Sequence, residues 1–140
     1  MFELDYRLKN DCVRIGSLPL CTILLMKDAN YPWLILVPQR ADVSEIYQLD
    51  ADDQEQLIWE SSFVAERLMA EFDGDKMNIG ALGNVVPQLH IHHVVRTRTD
   101  PAWPKPVWGA VTARAYAAGA LEQRVAQLAA VFETSTFKPA

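Results

Sequence analysis

Three histidines fall within four residues, in Gln88-Leu89-His90-Ile91-His92-His93-Val94-Val95, and the chain has no others. Side chains alternate between faces along a strand, so a regular strand projects Gln88, His90, His92, Arg96 and Arg98 from one side. Leu89, Ile91, His93 and Val95 project from the other. The first row places two imidazoles about 7 Å apart beside an amide. Such a row suits a phosphate. Imidazole is a nucleophile at neutral pH without an activating partner. Imidazolium and guanidinium neutralise charge on the equatorial oxygens during phosphoryl transfer. The same spacing also presents two metal ligands, whose further ligands would have to be distant carboxylates or thiols. A row with a purely structural role is the third reading. His93, on the opposite face, reads as a packed, hydrogen-bonded core or interface residue. Arg96 and Arg98 would lie about 20 Å and about 27 Å from His90, too far for the reacting phosphate. They read as solvated surface arginines, with Arg96 alone able to reach the far end of a polyphosphate.

The elements that must position this row follow from the flanking pattern. A strand rich in Val, Ile and His is predicted over residues 85–96. A shorter strand at Met77–Ile79 precedes it, joined by Gly80-Ala81-Leu82-Gly83, whose glycines let backbone approach a ligand closely. Upstream, the apolar runs 19–26 and 33–37 flank the turn-like Lys27-Asp28-Ala29-Asn30 and predict an antiparallel hairpin covered on both faces. The main helix is predicted from Asp50 to Phe72. Asp50 or Asp52 is its N-cap, acidic residues fill its first turn, and Leu57, Ser61, Val64, Ala65, Leu68 and Phe72 form its buried stripe. Asp73-Gly74-Asp75 ends it. A Pro- and Trp-rich loop over 100–109 is too Pro-dense for helix or central strand. A last helix is predicted over 117–133, with Leu121, Val125, Leu128 and Phe132 on one side. No repeat or linker divides the chain, which predicts one α+β domain over residues 1–140.

Composition narrows the class. Half of the residues are hydrophobic, enough for a core, and the net charge of −5 argues against broad capture of nucleic acid or an anionic membrane. A local basic pocket for one small phosphate compound remains compatible with it. No apolar run approaches the length of a membrane-spanning helix, and the acidic start Met1-Phe2-Glu3-Leu4-Asp5 does not resemble a secretory signal. The expectation is a cytoplasmic protein, with Cys12 and Cys21 as free thiols.

At the histidine strand the sequence resembles the histidine triad (HIT) superfamily, whose motif is His-φ-His-φ-His-φ-φ with φ apolar, usually after Gly-x-x-Val. Here Gly83-Asn84-Val85-Val86-Pro87 leads into Gln88-Leu89-His90-Ile91-His92-His93-Val94. The resemblance extends upstream through the hairpin ending at Pro38, the helix and the preceding strand, over most of residues 18–100. It implies a mostly antiparallel sheet with helices packed on one face, and a homodimer. It also implies a hydrolase or nucleotidyl transferase acting at the α-phosphate of a nucleoside phosphate, dinucleoside polyphosphate or phosphoramidate. By position His90 would be the nucleophile that forms a nucleotidyl-histidine, and His92 would contact the phosphate and support the leaving group. Gln88 takes the place of the first histidine, where it can orient a phosphate or the His92 ring but cannot titrate near neutrality. Asn78 would contact the phosphate and Asp28, or Lys27, the ribose, with Gly83 and Asn84 in the nucleotide-binding turn. The covalent step would need no metal, and any magnesium would come with the substrate. The hexose-phosphate uridylyltransferases also carry a Gln in their triad, at the third position. The rivals are a nucleotide-binding or sensing protein that lost turnover and a metal-binding protein using His90 and His92. A dimer contact is expected through the 117–133 helix and the loop carrying Trp103 and Trp108.

Overall fold

The two central strands of the sheet are apolar at almost every position because both of their faces are covered. The computed structural model describes residues 1–140, and these strands are β2 (Cys21–Met26) and β3 (Trp33–Pro38). In chain order the other elements are α1 (Tyr6–Asp11), β1 (Cys12–Ser17), α2 (Ala51–Phe72), β4 (Lys76–Gly80), β5 (Ile91–Arg96), α3 (Ala120–Val131) and β6 (Lys138–Pro139). A short 3-10 turn, Ile46–Gln48, precedes α2. The six strands form one sheet in the order β4-β5-β3-β2-β1-β6, with every neighbouring pair antiparallel.

Alternation along the strands divides the interior into two layers. Ile23, Leu25, Leu34, Leu36, Ile91 and Val95 face the helical layer, where they meet Leu57, Val64 and Leu68 of α2 and Leu128 of α3. Leu24, Trp33, Ile35, Val37 and Val94 face the opposite way. That face is covered by Leu8 of α1, by Phe2 and Leu4, and by Ala102, Val107 and Trp108 of the Pro-rich loop. The chain thus has helices α2 and α3 on one face of the sheet, as expected, while α1 and two loop segments seal the other.

Helix α2 starts where the capping pattern predicts. Asp50 is the N-cap and its carboxylate accepts from the Asp53 amide at 2.8 Å. The helix also stops at the expected Asp73-Gly74-Asp75, where Asp73 adopts the left-handed conformation (φ 47°). Gly74 is needed for space, since a Cβ there would stand 2.6 Å from Val95 Cγ1. The buried face of α2 also holds Glu60, a carboxylate with no solvent exposure. It accepts from the amides of Leu20 and Cys21, both at 2.8 Å, and from Gln56 Nε2 at 2.7 Å. The helix is thereby fastened to the start of β2.

The strand predicted over 85–96 is shorter. Residues 81–90 are a loop and β5 begins at Ile91. Pro87 has no N–H for a ladder, and the Leu89 amide donates to the Val43 carbonyl at 2.9 Å instead of to β3. The expected row of five side chains on one regular strand is therefore corrected: of these, only His92 and Arg96 lie on β5.

Candidate functional site

His90 ends the loop and His92 is the second residue of β5, yet their ring centroids are 5.0 Å apart. Each residue is only 6% exposed. His90 Nδ1 lies 2.7 Å from the Gln88 carbonyl oxygen. A carbonyl only accepts, so Nδ1 carries the hydrogen and the lone pair of the neutral ring sits on Nε2. The local turn that breaks the strand thus leaves Nε2 as the free, nucleophilic nitrogen. His92 is wedged among aromatic rings, with Trp33 at 5.7 Å and Trp108 at 5.3 Å between centroids. Its Nδ1 is 2.9 Å from Trp33 Nε1. Burial, reinforced by His90 and His93, pushes the His92 ring down to about 4.

His93 behaves as its parity predicts. It is fully buried in the helical layer, with Nδ1 donating to the Ile91 carbonyl at 3.0 Å and Nε2 2.7 Å from Ser61 Oγ of α2. Burial also pushes this ring down to about 4.

Gln88 spends its side chain elsewhere. Its Nε2 donates to the Glu3 carbonyl at 2.8 Å and its Oε1 accepts from the Asp5 amide at 2.9 Å. The amide expected to orient a phosphate instead clamps the N-terminal segment. Arg7 adds to the clamp by donating to the Val85 carbonyl at 2.8 Å and to both oxygens of Asp5. The hydrogen bond from Arg7 holds the Asp5 carboxyl below its usual range, and a smaller contribution comes from His90.

Asn78 stands on β4 opposite Val94, on the same sheet face as His92. Its Oδ1 accepts from Arg96 Nη1 at 2.8 Å, so its amide nitrogen keeps two hydrogens to offer. Arg96 is not the solvated arginine of the sequence reading. It is 1% exposed, bridges both carboxylate oxygens of Asp100 at 2.8 and 3.1 Å, and packs over the rings of Tyr31 and Trp103. The sequence reading missed that Asp100, four residues on, returns to pair with it. Arg98 is exposed, as expected, with its backbone amide on Asp75.

The remaining expected contacts are scattered. Asp28 is buried at the β2–β3 turn, and its Oδ1 accepts from the amides of Asn30 and Arg114 at 2.9 and 3.2 Å. Lys27 is exposed and donates to the Asn10 carbonyl. This turn precedes Trp33, the first residue of β3, which pairs with Val94 and not with Ile91 at the start of β5. Gly83, left-handed at φ 72°, lines a cavity of about 20 Å³ with Gln88, Leu89 and His90. That is room for about one water. Asn84 is exposed on the same loop. For a metal, His90 and His92 have no third ligand: no group of three or more His, Cys, Asp or Glu residues is arranged to hold one.

The sequence reading treated Trp33 only as an apolar strand residue and gave Trp108 to a loop expected to form a dimer contact, not to the histidine pair. For Trp33 the available signal was that a buried indole N–H usually finds an acceptor; Trp108, whose Nε1 is buried without a partner, carries no such signal.

The model of the HIT domain matches residues 7–99. Among solved structures, histidine triad proteins from Bradyrhizobium japonicum and Marinobacter aquaeolei VT8 are each 46% identical to this chain, with TM-scores of 0.91 and 0.90. Both alignments cover 94% of this chain, and 98% and 96% of the respective relatives. A third, from Sinorhizobium meliloti 1021, is also 46% identical, with a TM-score of 0.86 and 94% coverage of both chains. No curated protein matches. With its domain match spanning more than half the chain and near-complete structural overlap with relatives of this identity, the chain belongs to the histidine triad family.

Proposed function

We propose that this protein binds a nucleotide and acts at its α-phosphate, as a hydrolase or nucleotidyl transferase with His90 as nucleophile. The observation that carries this reading is the Nδ1–H of His90 on the Gln88 carbonyl, which leaves the Nε2 lone pair free. In the first step that lone pair forms an N–P bond while the bond from phosphorus to the leaving group breaks. The oxygen of water or another acceptor then forms an O–P bond as the N–P bond breaks, which returns the electron pair to Nε2, and the acceptor's proton passes to solvent. His92 hydrogen-bonds the leaving group, and the free amide hydrogens of Asn78 contact the phosphate. Gly83 and Asn84 form the loop beside it. Asp28, though its Oδ1 is occupied, contacts the ribose through its second oxygen. The covalent step would need no metal, and any magnesium would be carried by the substrate. Because both rings are buried, a segment packed over them, whether the 81–89 loop, the clamped N-terminal segment or the loop carrying Trp108, must shift to admit substrate.

The test incubates the protein with adenosine and guanosine phosphates and looks for phosphorus on His90 by mass spectrometry. No adduct and no turnover with any of them would remove the covalent reading. A second reading, nucleotide binding without turnover, is favoured by one observation: the Gln88 amide is committed to Glu3 and Asp5 and supplies nothing to a phosphate. Tight binding without an adduct would decide for it.

A cytoplasmic homodimer is part of the same proposal, and no helix is long and apolar enough to cross a membrane. In the loop expected to share the contact, Trp108 packs on His92 and Trp103 on Arg96, and each keeps part of its surface exposed. Helix α3 keeps an open apolar groove against β1, lined by Val13, Leu121, Val125 and Ala129. Light scattering at micromolar concentration should give twice the chain mass of 15.8 kDa, and a monomer would count against the dimer.

A further inference from the structure

Trp33 has a chemical consequence beyond packing. It is 8% exposed, and the acceptor its indole N–H has found is Nδ1 of His92, at 2.9 Å. An indole nitrogen only donates, so Nδ1 must present its lone pair. The hydrogen of the neutral ring is then on Nε2. Protonating Nδ1 would set two N–H groups against each other across that short distance. The two imidazoles of the pair therefore hold opposite tautomers: His90 offers a lone pair at Nε2, and His92 offers a hydrogen there.

We propose that Trp33 is a specificity-determining residue: by holding His92 as a neutral Nε2–H donor, it confines the reaction to leaving groups that depart as stable anions. The inference rests on the His90 reading above. When the α-phosphorus–oxygen bond of a phosphoanhydride or an acyl phosphate breaks, the electron pair stays on the departing oxygen. The product is a phosphate or a carboxylate, which needs a hydrogen bond but no proton. When a phosphorus–nitrogen bond breaks, the departing nitrogen must first gain a proton. His92 has no proton to spare, because losing its only N–H would make an imidazolate. The neighbouring groups do not replace it. Asp5 is paired with Arg7 and ionised, Gln88 does not titrate, and His93 lies on the other face of the sheet, bonded to Ser61. The site is thus built for nucleoside polyphosphates and acyl nucleotides rather than phosphoramidates.

Two measurements decide the matter. Nitrogen-15 NMR of the imidazole rings at pH 7 should show His92 as the Nε2–H tautomer in the wild type, and as a tautomer mixture in Trp33→Phe. An Nδ1–H ring or an imidazolium in the wild type overturns the hold of Trp33 on His92, whether or not the variant folds. The second measurement compares kcat/KM for a dinucleoside tetraphosphate and for a nucleoside 5′-phosphoramidate of the same base. The wild type should favour the tetraphosphate by about a hundredfold, the lower range of what general acid catalysis supplies. In Trp33→Phe the ratio should narrow about tenfold, through kcat on the phosphoramidate with little change in KM. Equal rates in the wild type, or a ratio unchanged in the variant, overturn the restriction. No phosphorus on His90 with either compound overturns the His90 reading and the restriction with it, while the NMR result still decides the tautomer.

Discussion

The nitrogen atoms of His90 and His92 are differentiated by what their other ring nitrogen touches, a carbonyl in one case and an indole in the other. That division of labour makes His90→Asn the most direct test of the site. Asparagine can still donate to the Gln88 carbonyl but has no nucleophilic lone pair on nitrogen, so turnover should fall by several orders of magnitude while circular dichroism stays unchanged. Near-normal rates in the pure variant would remove His90 as nucleophile. Gln88 calls for a different measurement. Gln88→Ala should free the N-terminal segment, which limited trypsin digestion would report as faster cleavage after Arg7 or Lys9. The loss of its two hydrogen bonds should lower stability by about 1–2 kcal/mol. Gln88→His would restore the family residue yet strain the clamp, because the donor and acceptor of an imidazole diverge more widely than the amide's as they face Glu3 and Asp5. Unchanged proteolysis in Gln88→Ala would show that the segment is held without it.

Among the elements, those with a strong local signal were legible in the sequence. Helix α2 announced itself through the Asp50 cap and its apolar spacing, and β2 and β3 through β-branched runs closed by Pro38. What escaped depends on contacts distant in sequence. The segment from Tyr6 to Ser17 mixes polar and apolar residues without a clear period, and α1 and β1 form because Leu8 and Cys12 find the face opposite the helices. Glu60 lies outside the predicted apolar stripe, because only the fold brings the amides of Leu20 and Cys21 to it. The position of the histidines was readable; their tautomers were not, since the partners of both rings follow from the loop geometry and from β3. The Pro-rich loop belongs to this class as well. Burial works against the charge of Asp100, but Arg96 and the amides of Thr97, Ala102 and Trp103 outweigh it and hold the carboxyl below its usual range. Arg96→Ala would leave that buried carboxylate without its ion-pair partner, held by backbone amides only, at a cost of about 3–5 kcal/mol. It would also leave Asn78 unoriented. Urea denaturation measures the first effect, and a loss below about 1 kcal/mol would show the ion pair to be unimportant to the loop.

For the molecule as a whole, the two buried imidazoles set a pH dependence. His92 and His93 fall from an ordinary 6.5 to about 4 on folding, so between those values the unfolded chain binds more protons than the folded one. Stability is therefore full above about pH 6.5 and is lost progressively as the pH falls toward 4. Each ring accounts for up to about 3 kcal/mol of that loss. His93→Gln keeps a polar side chain opposite Ser61 but cannot titrate, so it should flatten roughly half of the slope in urea midpoint between pH 7 and pH 5. An equal slope in the variant would assign the acid sensitivity to other groups.

The two cysteines turn this layered interior into its own reporter. Cys21 lies in the layer under α2 and α3, and Cys12 in the layer under α1 and the Pro-rich loop. Both thiols are buried, and desolvation raises both, Cys12 to about 12 and Cys21 further. Neither reacts as a thiolate in the closed protein, so an alkylating reagent gains access only through an opening motion. The labelling rate of Cys12 then counts how often the histidine-bearing face uncovers, and that of Cys21 how often the helices lift. A nucleotide that must part the first layer to reach His90 should change the Cys12 rate and leave the Cys21 rate where it was.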